Sequence, residues 1–171
     1  MNQTHKLYAM IVIFATTAIL IGCAKETSVD MTVENNKSLV QHYFDEMNKG
    51  NVNYLDEYFS ADYVYHGSSG DLDLEGFKAQ HDMFISAFSD INASAEDIIA
   101  VGDKLVTRWK ISSTHSGELQ GIPATGKEVT ITGIVISRIE NGKVVEEWES
   151  FDQLGLMQQI GAIPLPPNTN Q

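Results

Sequence analysis

The strongest constraint on the fold is a change in the spacing of the apolar residues near Asp90. Before Asp90 they recur every three to four positions, as on one face of an α-helix, and after it they alternate with polar residues, as in a β-strand. Helices therefore come first and a sheet follows, an order that predicts an α+β domain. We expect a curved antiparallel sheet that the N-terminal helices close on one side.

The helical part contains one histidine in a notable position. The predicted helices cover Asn36–Lys49, Tyr54–Phe59 and about Leu74–Phe88, and a brief strand covers Asp62–His66. His81 lies on the apolar stripe of the third helix together with Phe84, so it points toward the core. A hydrogen-bonded core histidine and a functional residue both fit this position.

The second half is predicted to be a run of strands. They cover Ile91–Val101, Lys104–His115, Glu128–Glu140 and Lys143–Asp152, and a helical turn through Gln159 follows. Asn141 and Gly142 tolerate the positive φ of a tight hairpin turn. The loop 116–127 is long and rich in glycine, so it is either a functional loop or a plain connection.

Alternation along two of the strands predicts which side chains point inward. In Lys104–His115 the face that carries Trp109 is taken as the inner one, and it carries His115 at the rim of the sheet. On the last strand Trp148 marks the predicted inner face, which it shares with Asp152. The opposite face of that strand carries Glu147, Glu149 and Phe151.

These faces converge on an interior with few polar groups, which is the usual form of a small-molecule site. Its predicted members are Trp109, Trp148, His81, His66, His115 and Asp152, with Phe84, Tyr43 and Ile136 in the wall. An aspartate among tryptophans has a raised pKa and can exchange protons near neutral pH. Asp152 is therefore the candidate acid/base, with His66 or His115 as its partner. The alternative is that Asp152 caps the C-terminal helical turn.

The N-terminus is typical of an exported lipoprotein. Lys6 precedes an apolar stretch, Leu7–Ile21, and the box Leu20-Ile21-Gly22-Cys23 predicts cleavage before Cys23 and lipid on its sulfur. The apolar stretch is shorter than the ~20 residues of a spanning helix. An ordinary signal peptide and an uncleaved anchor are the alternatives. An aspartate directly after the cysteine typically retains a lipoprotein at the inner membrane. Because Ala24 stands at this position, we expect the protein to be located at the outer membrane in a cell that has two membranes.

One domain accounts for the rest of the chain. We predict a leader over 1–22, a flexible tether over 23–34, a folded domain over 35–163 and a flexible tail over 164–171. The formal net charge is −12 at pH 7, and loss of Lys6 with the leader makes it one unit more negative. Such a chain repels nucleic acid, so we expect no DNA or RNA partner.

Two other kinds of site are disfavoured. The histidines are scattered, with no HExxH motif and no pair at helical spacing, so no metal site is predicted. No G-x-S-x-G motif is present, which argues against a serine hydrolase of the usual kind.

Much of the second half resembles the SnoaL-like polyketide cyclases, or ester cyclases, of the nuclear-transport-factor-2-like superfamily. The matching segments are Thr107–Trp109, Thr114–Glu118, Gly121–Lys127, Arg138–Ile139, Asn141–Lys143, Glu146–Trp148 and Asp152–Gln159, with looser matches at Tyr65–His66 and Glu75–Phe77. The resemblance implies a cone-shaped α+β barrel, a pocket between sheet and helices, and frequently a dimer formed through the sheet.

The resemblance also implies a reaction. The cyclases of this family close a ring by a cofactor-free aldol step in which an aspartate removes a proton, and Asp152 matches that position. They place a polar pair on the adjacent strand, where this sequence has Ile136 and Arg138. That departure concerns the cyclisation chemistry and leaves the fold unaffected.

Three functions follow from these observations. The first is a cofactor-free cyclase, isomerase or hydratase that uses Asp152 with a histidine on a small apolar molecule. The second is a non-catalytic binder of such a molecule in the cell envelope. The third is a protein-interaction module that pairs through its sheet, which a filled core without a cavity would favour.

Overall fold

The computed structural model describes residues 33–51 and 53–165. The predicted leader and Cys23 lie outside these residues, as do most of the tether and of the tail. No helix in the described part of the chain is both long and apolar enough to cross a membrane.

The architecture is the predicted α+β one. The helices are α1 (residues 33–48), α2 (Leu55–Tyr58), α3 (Leu74–Ala87) and α4 (Gln153–Ile160). The strands are β1 (Phe59–Gly67), β2 (Gly70–Asp73), β3 (Phe88–Val101), β4 (Lys104–His115), β5 (Glu128–Glu140) and β6 (Lys143–Phe151). They form one sheet in the order β2-β1-β6-β5-β4-β3.

The sheet differs from the prediction in one pair and one strand. β1 runs parallel to β6, whereas every other pair is antiparallel. β2 was not predicted, because its four residues carry too little apolar pattern to be recognised. The β1–β2 hairpin leads directly into α3, which begins where the Asp73 carboxylate accepts a hydrogen bond from the Gly76 N–H at 2.9 Å.

Bulges curve the sheet around the helices. The register shifts twice along β3, once between β1 and β6, and once between β5 and β6. A bulge bends its strand and increases the local twist, so a sheet with several bulges forms an open, cone-shaped wall. Helices α1 and α3 cover the inner side of this wall. The core between the layers includes Val40 and Phe44 of α1, Phe59 and Tyr63 of β1, and Leu105 of β4.

Candidate functional site

A cavity of about 190 Å³ lies between the helices and the inner face of the sheet. Side chains of all four helices, of strands β1, β4, β5 and β6, and of the loop 116–127 line it. Four residues predicted to line a pocket do so, namely Tyr43, His81, Phe84 and Trp109. A volume of this size, closed largely by apolar groups, suits a small organic molecule.

The wall formed by β4 follows simple alternation. Thr107, Trp109 and Ile111 line the cavity and are buried, which confirms the predicted inner face of this strand. Gly133 on β5 pairs with Trp109, and a Cβ atom there would lie 2.4 Å from the indole ring. The absence of a side chain at Gly133 therefore makes room for Trp109 against the sheet.

The wall formed by β6 shows the reverse of the predicted face. Val144 is fully buried, but Val145 is an extra residue in the register between β5 and β6, and Glu147 then pairs with Ser137. A one-residue bulge moves all later side chains to the opposite face. Glu147 and Glu149 consequently line the cavity together with Phe151.

The same bulge places Trp148 on the outer face of the sheet, and the regular alternation of β5 places Ile136 there as well. Their predicted positions in the cavity wall are therefore wrong. Ile136 is 37% exposed and pairs with Trp148, and the Lys104 ammonium group lies 5.2 Å from the Trp148 ring centroid.

Glu147 is the most strongly held polar group of the cavity. It is only 7% exposed, and its carboxylate accepts hydrogen bonds from the Tyr63 hydroxyl and the Ser137 hydroxyl, both at 2.7 Å. Burial raises the pKa of Glu147 to about 7, although both hydroxyl groups oppose the shift by stabilising the carboxylate. Glu147 can therefore gain or lose a proton at neutral pH.

Glu149 lies two positions further along the same face of β6. Its carboxylate accepts a hydrogen bond from the Tyr65 hydroxyl at 2.8 Å. Burial also raises the pKa of Glu149, against the effects of the Tyr65 hydroxyl and the nearby Trp109 indole, whose N–H does not complete a hydrogen bond. Two carboxyl groups thus share one low-dielectric cavity, and the charge of Glu149 contributes to the raised pKa of Glu147.

His81 and Thr107 place polar atoms in the cavity wall that have no hydrogen-bond partner in the described structure. Neither ring nitrogen of His81 has a hydrogen bond within the described structure, and neither has the Thr107 hydroxyl. The Asp82 carboxylate is 4.0 Å from the His81 Nδ1 atom, too far for a hydrogen bond. Burial lowers the pKa of His81, so the ring is neutral at neutral pH.

His66 lies on the outer face of the sheet, so its predicted place in the cavity is wrong. Its ring is 2.8 Å from an Asp71 oxygen and 3.1 Å from a Glu146 oxygen, and it stacks on Trp148 with a centroid distance of 5.4 Å. Hydrogen bonds to Asp71 and Glu146 raise the pKa of His66. Tyr63 and Tyr65 on the same strand point inward because side chains alternate.

His115 is fully buried on the predicted inner face, but it does not line the cavity. Its Nδ1 atom is 3.0 Å from the Thr125 hydroxyl, which ties the end of β4 to the loop 116–127. The same loop contributes Leu119 and Gln120 to the cavity wall. The loop is therefore part of the candidate site, and His115 helps to hold it.

Asp152 follows the last residue of β6 and is exposed. Its carboxylate accepts a hydrogen bond from the Gly155 N–H at 2.8 Å and caps α4. The prediction that Asp152 lies inside the cavity is wrong, because the bulge in β6 reversed the alternation on which it was based. Asp152 instead occupies the N-cap of α4, which was the alternative prediction.

A capping role predicts how Asp152 variants behave. Asp152→Asn keeps a good N-cap and should change the free energy of unfolding by a few tenths of a kcal/mol at most, whereas Asp152→Ala should cost about 1 kcal/mol. Urea denaturation of both variants measures the difference. Equal losses in the two variants would contradict the capping role.

Sequence reasoning missed the Glu147–Glu149 pair, and one signal for it was present. Val144 and Val145 are adjacent apolar residues within a strand that otherwise alternates. Such a doublet marks a place where two neighbouring residues can both be buried, as happens at a bulge. If the alternation is counted from Val145 as an inward-pointing residue, Glu147 and Glu149 both lie on the inner face.

No metal centre is recognisable in residues 33–51 and 53–165, where no group of three or more His, Cys, Asp or Glu side chains could hold an ion. The cavity contains one histidine, His81, and two carboxyl groups. What the described lining can offer is proton exchange, hydrogen bonding and apolar contact.

A helix-covered, curved sheet with an inner cavity is the architecture of the nuclear-transport-factor-2-like proteins. Residues 37–160 match the family model of the SnoaL-like polyketide cyclases. The chain therefore belongs to the SnoaL-like polyketide cyclase family. No curated protein sequence matches it.

Solved structures from Streptomyces share the fold. TsrD from Streptomyces laurentii is 29% identical, with a TM-score of 0.69 over 76% of this chain and 97% of that one. IdmH from Streptomyces antibioticus, a candidate polyketide cyclase, is 27% identical, with a TM-score of 0.65 over 74% and 98%. AclR from Streptomyces galilaeus, a candidate hydroxylase, is 24% identical, with a TM-score of 0.74 over 80% and 87%, and this likeness concerns the fold alone.

Proposed function

We propose that this protein is a cofactor-free acid/base enzyme of the cyclase or isomerase type, acting on a small, largely apolar molecule. The observation that carries the proposal is Glu147, a carboxyl group inside an aromatic cavity with a pKa of about 7. A general base is most effective when its pKa lies near the working pH. The family and the 27% identity to IdmH, a candidate polyketide cyclase, support this type of chemistry.

In this mechanism the ionised Glu147 removes a proton from a carbon next to a carbonyl group. The C–H electron pair moves into the carbonyl to form an enolate, and Glu147 becomes the neutral acid. In its protonated form, which burial favours, Glu149 donates a hydrogen bond to the enolate oxygen. In a cyclase the enolate carbon then attacks a second carbonyl, and the alkoxide that forms takes the proton from Glu147. In an isomerase Glu147 returns the proton to the enolate at another atom.

Proton exchange in heavy water tests the proposal without knowledge of the natural substrate. The probe is β-tetralone, an apolar ketone whose α-protons are read by NMR. We expect the protein to accelerate exchange of these protons over buffer with no added cofactor and in the presence of EDTA. Exchange at the buffer rate would contradict the proposal.

A non-catalytic binder of a small apolar molecule is the second candidate function, and the aromatic lining favours it. Tyr43, Tyr58, Phe77 and Phe84 face the cavity from the helical side. A binder would show saturable affinity for apolar probes, no proton exchange and no effect of Glu147→Gln on that affinity.

The proposal includes a homodimer formed through the outer face of the sheet. A row of neighbouring residues on this face runs from Ile99 through Val106 and Ile136 to Trp148, and Ile99 is 62% exposed. An apolar stripe of this kind on a sheet favours contact with a second copy.

Light scattering during size exclusion tests the dimer. The unmodified domain should have the mass of two chains, and Ile136→Glu should have the mass of one, because a charge would be buried at the contact. Gln41→Glu adds the same charge on the exposed side of α1 and should remain dimeric. A monomeric parent protein would contradict this part of the proposal.

The proposal places the protein in the cell envelope. Residues 1–22 are removed, Cys23 carries the lipid, and Ala24 directs the chain to the outer membrane in a cell with two. The intact mass of the mature protein should correspond to a chain that starts at Cys23 and carries acyl groups. Cys23→Ala should leave the protein unlipidated, and a mature chain that starts at residue 1 would contradict this part of the proposal.

A further inference from the structure

The charges that line the cavity are of one sign. Glu147 and Glu149 contribute carboxyl groups, and no lysine or arginine is among the described residues that line the cavity. Glu147 accepts two hydrogen bonds from neutral hydroxyl groups, and Glu149 accepts one. Hydroxyl groups stabilise a carboxylate without cancelling its charge, so the cavity has a negative site with no cation of its own.

Aromatic rings surround this negative site. Tyr65 and Trp109 lie on the sheet side close to Glu149, and Tyr43, Tyr58 and Phe77 lie on the helix side. The faces of such rings attract cations, and the attraction increases when water is excluded. Rings and carboxyl groups thus favour a ligand with an apolar body and a positive charge.

Two further residues need a polar partner that the protein does not supply. His81 is 7% exposed and Thr107 is fully buried, yet both ring nitrogens of His81 and the hydroxyl of Thr107 lack hydrogen bonds in the described structure. An unpaired buried polar atom is costly, and a ligand that pairs with it removes that cost. A neutral imidazole has one acceptor nitrogen, which can accept a hydrogen bond from an ammonium group.

We infer that the ligand of this cavity is an apolar organic amine, bound as its ammonium cation between the aromatic rings and the Glu147–Glu149 pair. This inference rests on the same cavity as the proposed function and names its substrate class. A carboxylic acid of the same shape is disfavoured, since its negative charge would lie next to desolvated carboxyl groups with no cation to pair with it. The net charge of −12 also attracts cations toward the protein.

A matched series of three probes tests the inference by calorimetry at pH 7. Phenethylamine, phenethyl alcohol and hydrocinnamic acid share an aromatic body and differ in charge. We expect the amine to bind about tenfold or more tightly than the alcohol, and the acid not to bind measurably. Equal affinities for amine and alcohol, preference for the acid, or no binding of the amine at millimolar concentration would each overturn the inference.

Charge-neutral variants locate the effect in the cavity. Glu149→Gln should lower the affinity for phenethylamine about tenfold or more and leave that for phenethyl alcohol unchanged. Asp152→Asn removes the same charge at the exposed cap of α4 and should change neither affinity. Loss of amine affinity in Asp152→Asn to the same extent would assign the preference to overall charge and overturn the site. The three-probe comparison on the unmodified protein stands even if Glu149→Gln does not fold.

The outcome of the binding test with the three probes can be distinguished from the outcome of the proton-exchange test of the proposed function. Exchange of β-tetralone protons without a preference for the amine would leave the acid/base function standing and reject the amine. Preference for the amine without proton exchange would do the opposite, and would favour the non-catalytic binder.

Discussion

Glu147→Gln is expected to lower the rate of α-proton exchange in β-tetralone by a factor of about 10² to 10⁴, the usual contribution of a positioned general base. A glutamine cannot take up the proton, although its side chain has the same shape and the Tyr63 and Ser137 hydroxyl groups can still bond to it. The rate of exchange is followed by NMR at one protein concentration for the parent protein and the variant.

Two controls separate loss of the base from other causes. Asp152→Asn changes a carboxyl group to an amide outside the cavity and should exchange at the parent rate. Because the base must be ionised, the parent rate should rise with pH through an apparent pKa near 7. A variant that retains the parent rate, or a parent rate that is flat between pH 5 and 8, would show that Glu147 is not the base.

The second large effect is on the pH dependence of stability. The pKa of Glu147 is about 7 in the folded protein and near its ordinary value of 4.5 in the unfolded chain. The folded state therefore binds more protons between these values, so the stabilisation from Glu147 is complete below pH 4.5 and is lost as pH rises toward 7 and above. A difference of this size corresponds to about 3 kcal/mol.

Glu147→Gln should remove this loss. We expect the free energy of unfolding of the variant, relative to the parent, to increase by about 2.5 kcal/mol between pH 5 and pH 8, which is most of the full effect. Urea denaturation at both pH values measures it. The raised pKa of His66 acts in the same direction in both proteins and cancels in the comparison. Glu149 interacts with the charge of Glu147, so a change in its titration is part of the measured difference. Parallel pH profiles for parent and variant would mean that the Glu147 carboxyl is not desolvated in solution.

These two measurements are independent of each other. Exchange depends on Glu147 meeting a substrate, whereas the stability profile depends only on its burial. A normal stability effect without exchange would leave a buried glutamic acid that supports the sheet through Tyr63 and Ser137. That result would favour the binding function.

Local sequence patterns predicted most of the architecture. The apolar stripe of α3 has the period of a helix and placed His81 and Phe84 in the cavity wall, since helical geometry fixes which residues share a face. Regular alternation in β4 did the same for Trp109. These predictions depend only on the geometry of a single helix or strand.

The predictions that were wrong depend on contacts between strands. Whether β6 keeps its alternation is determined by its register with β5, and the bulge at Val145 appears only when the two strands pair. Its effect is large, because one extra residue exchanged Asp152 and Trp148 for Glu147 and Glu149 at the cavity.

The sequence alone determined the fold class, the order of the elements and the inward faces of α3 and β4, because these follow from the periods of a helix and a strand. Only the tertiary structure decided which carboxyl groups enter the cavity. The raised pKa of Glu147 likewise requires the helices that bury it, and the Tyr63 hydroxyl that holds the carboxylate against this shift comes from β1, 84 positions away in the chain.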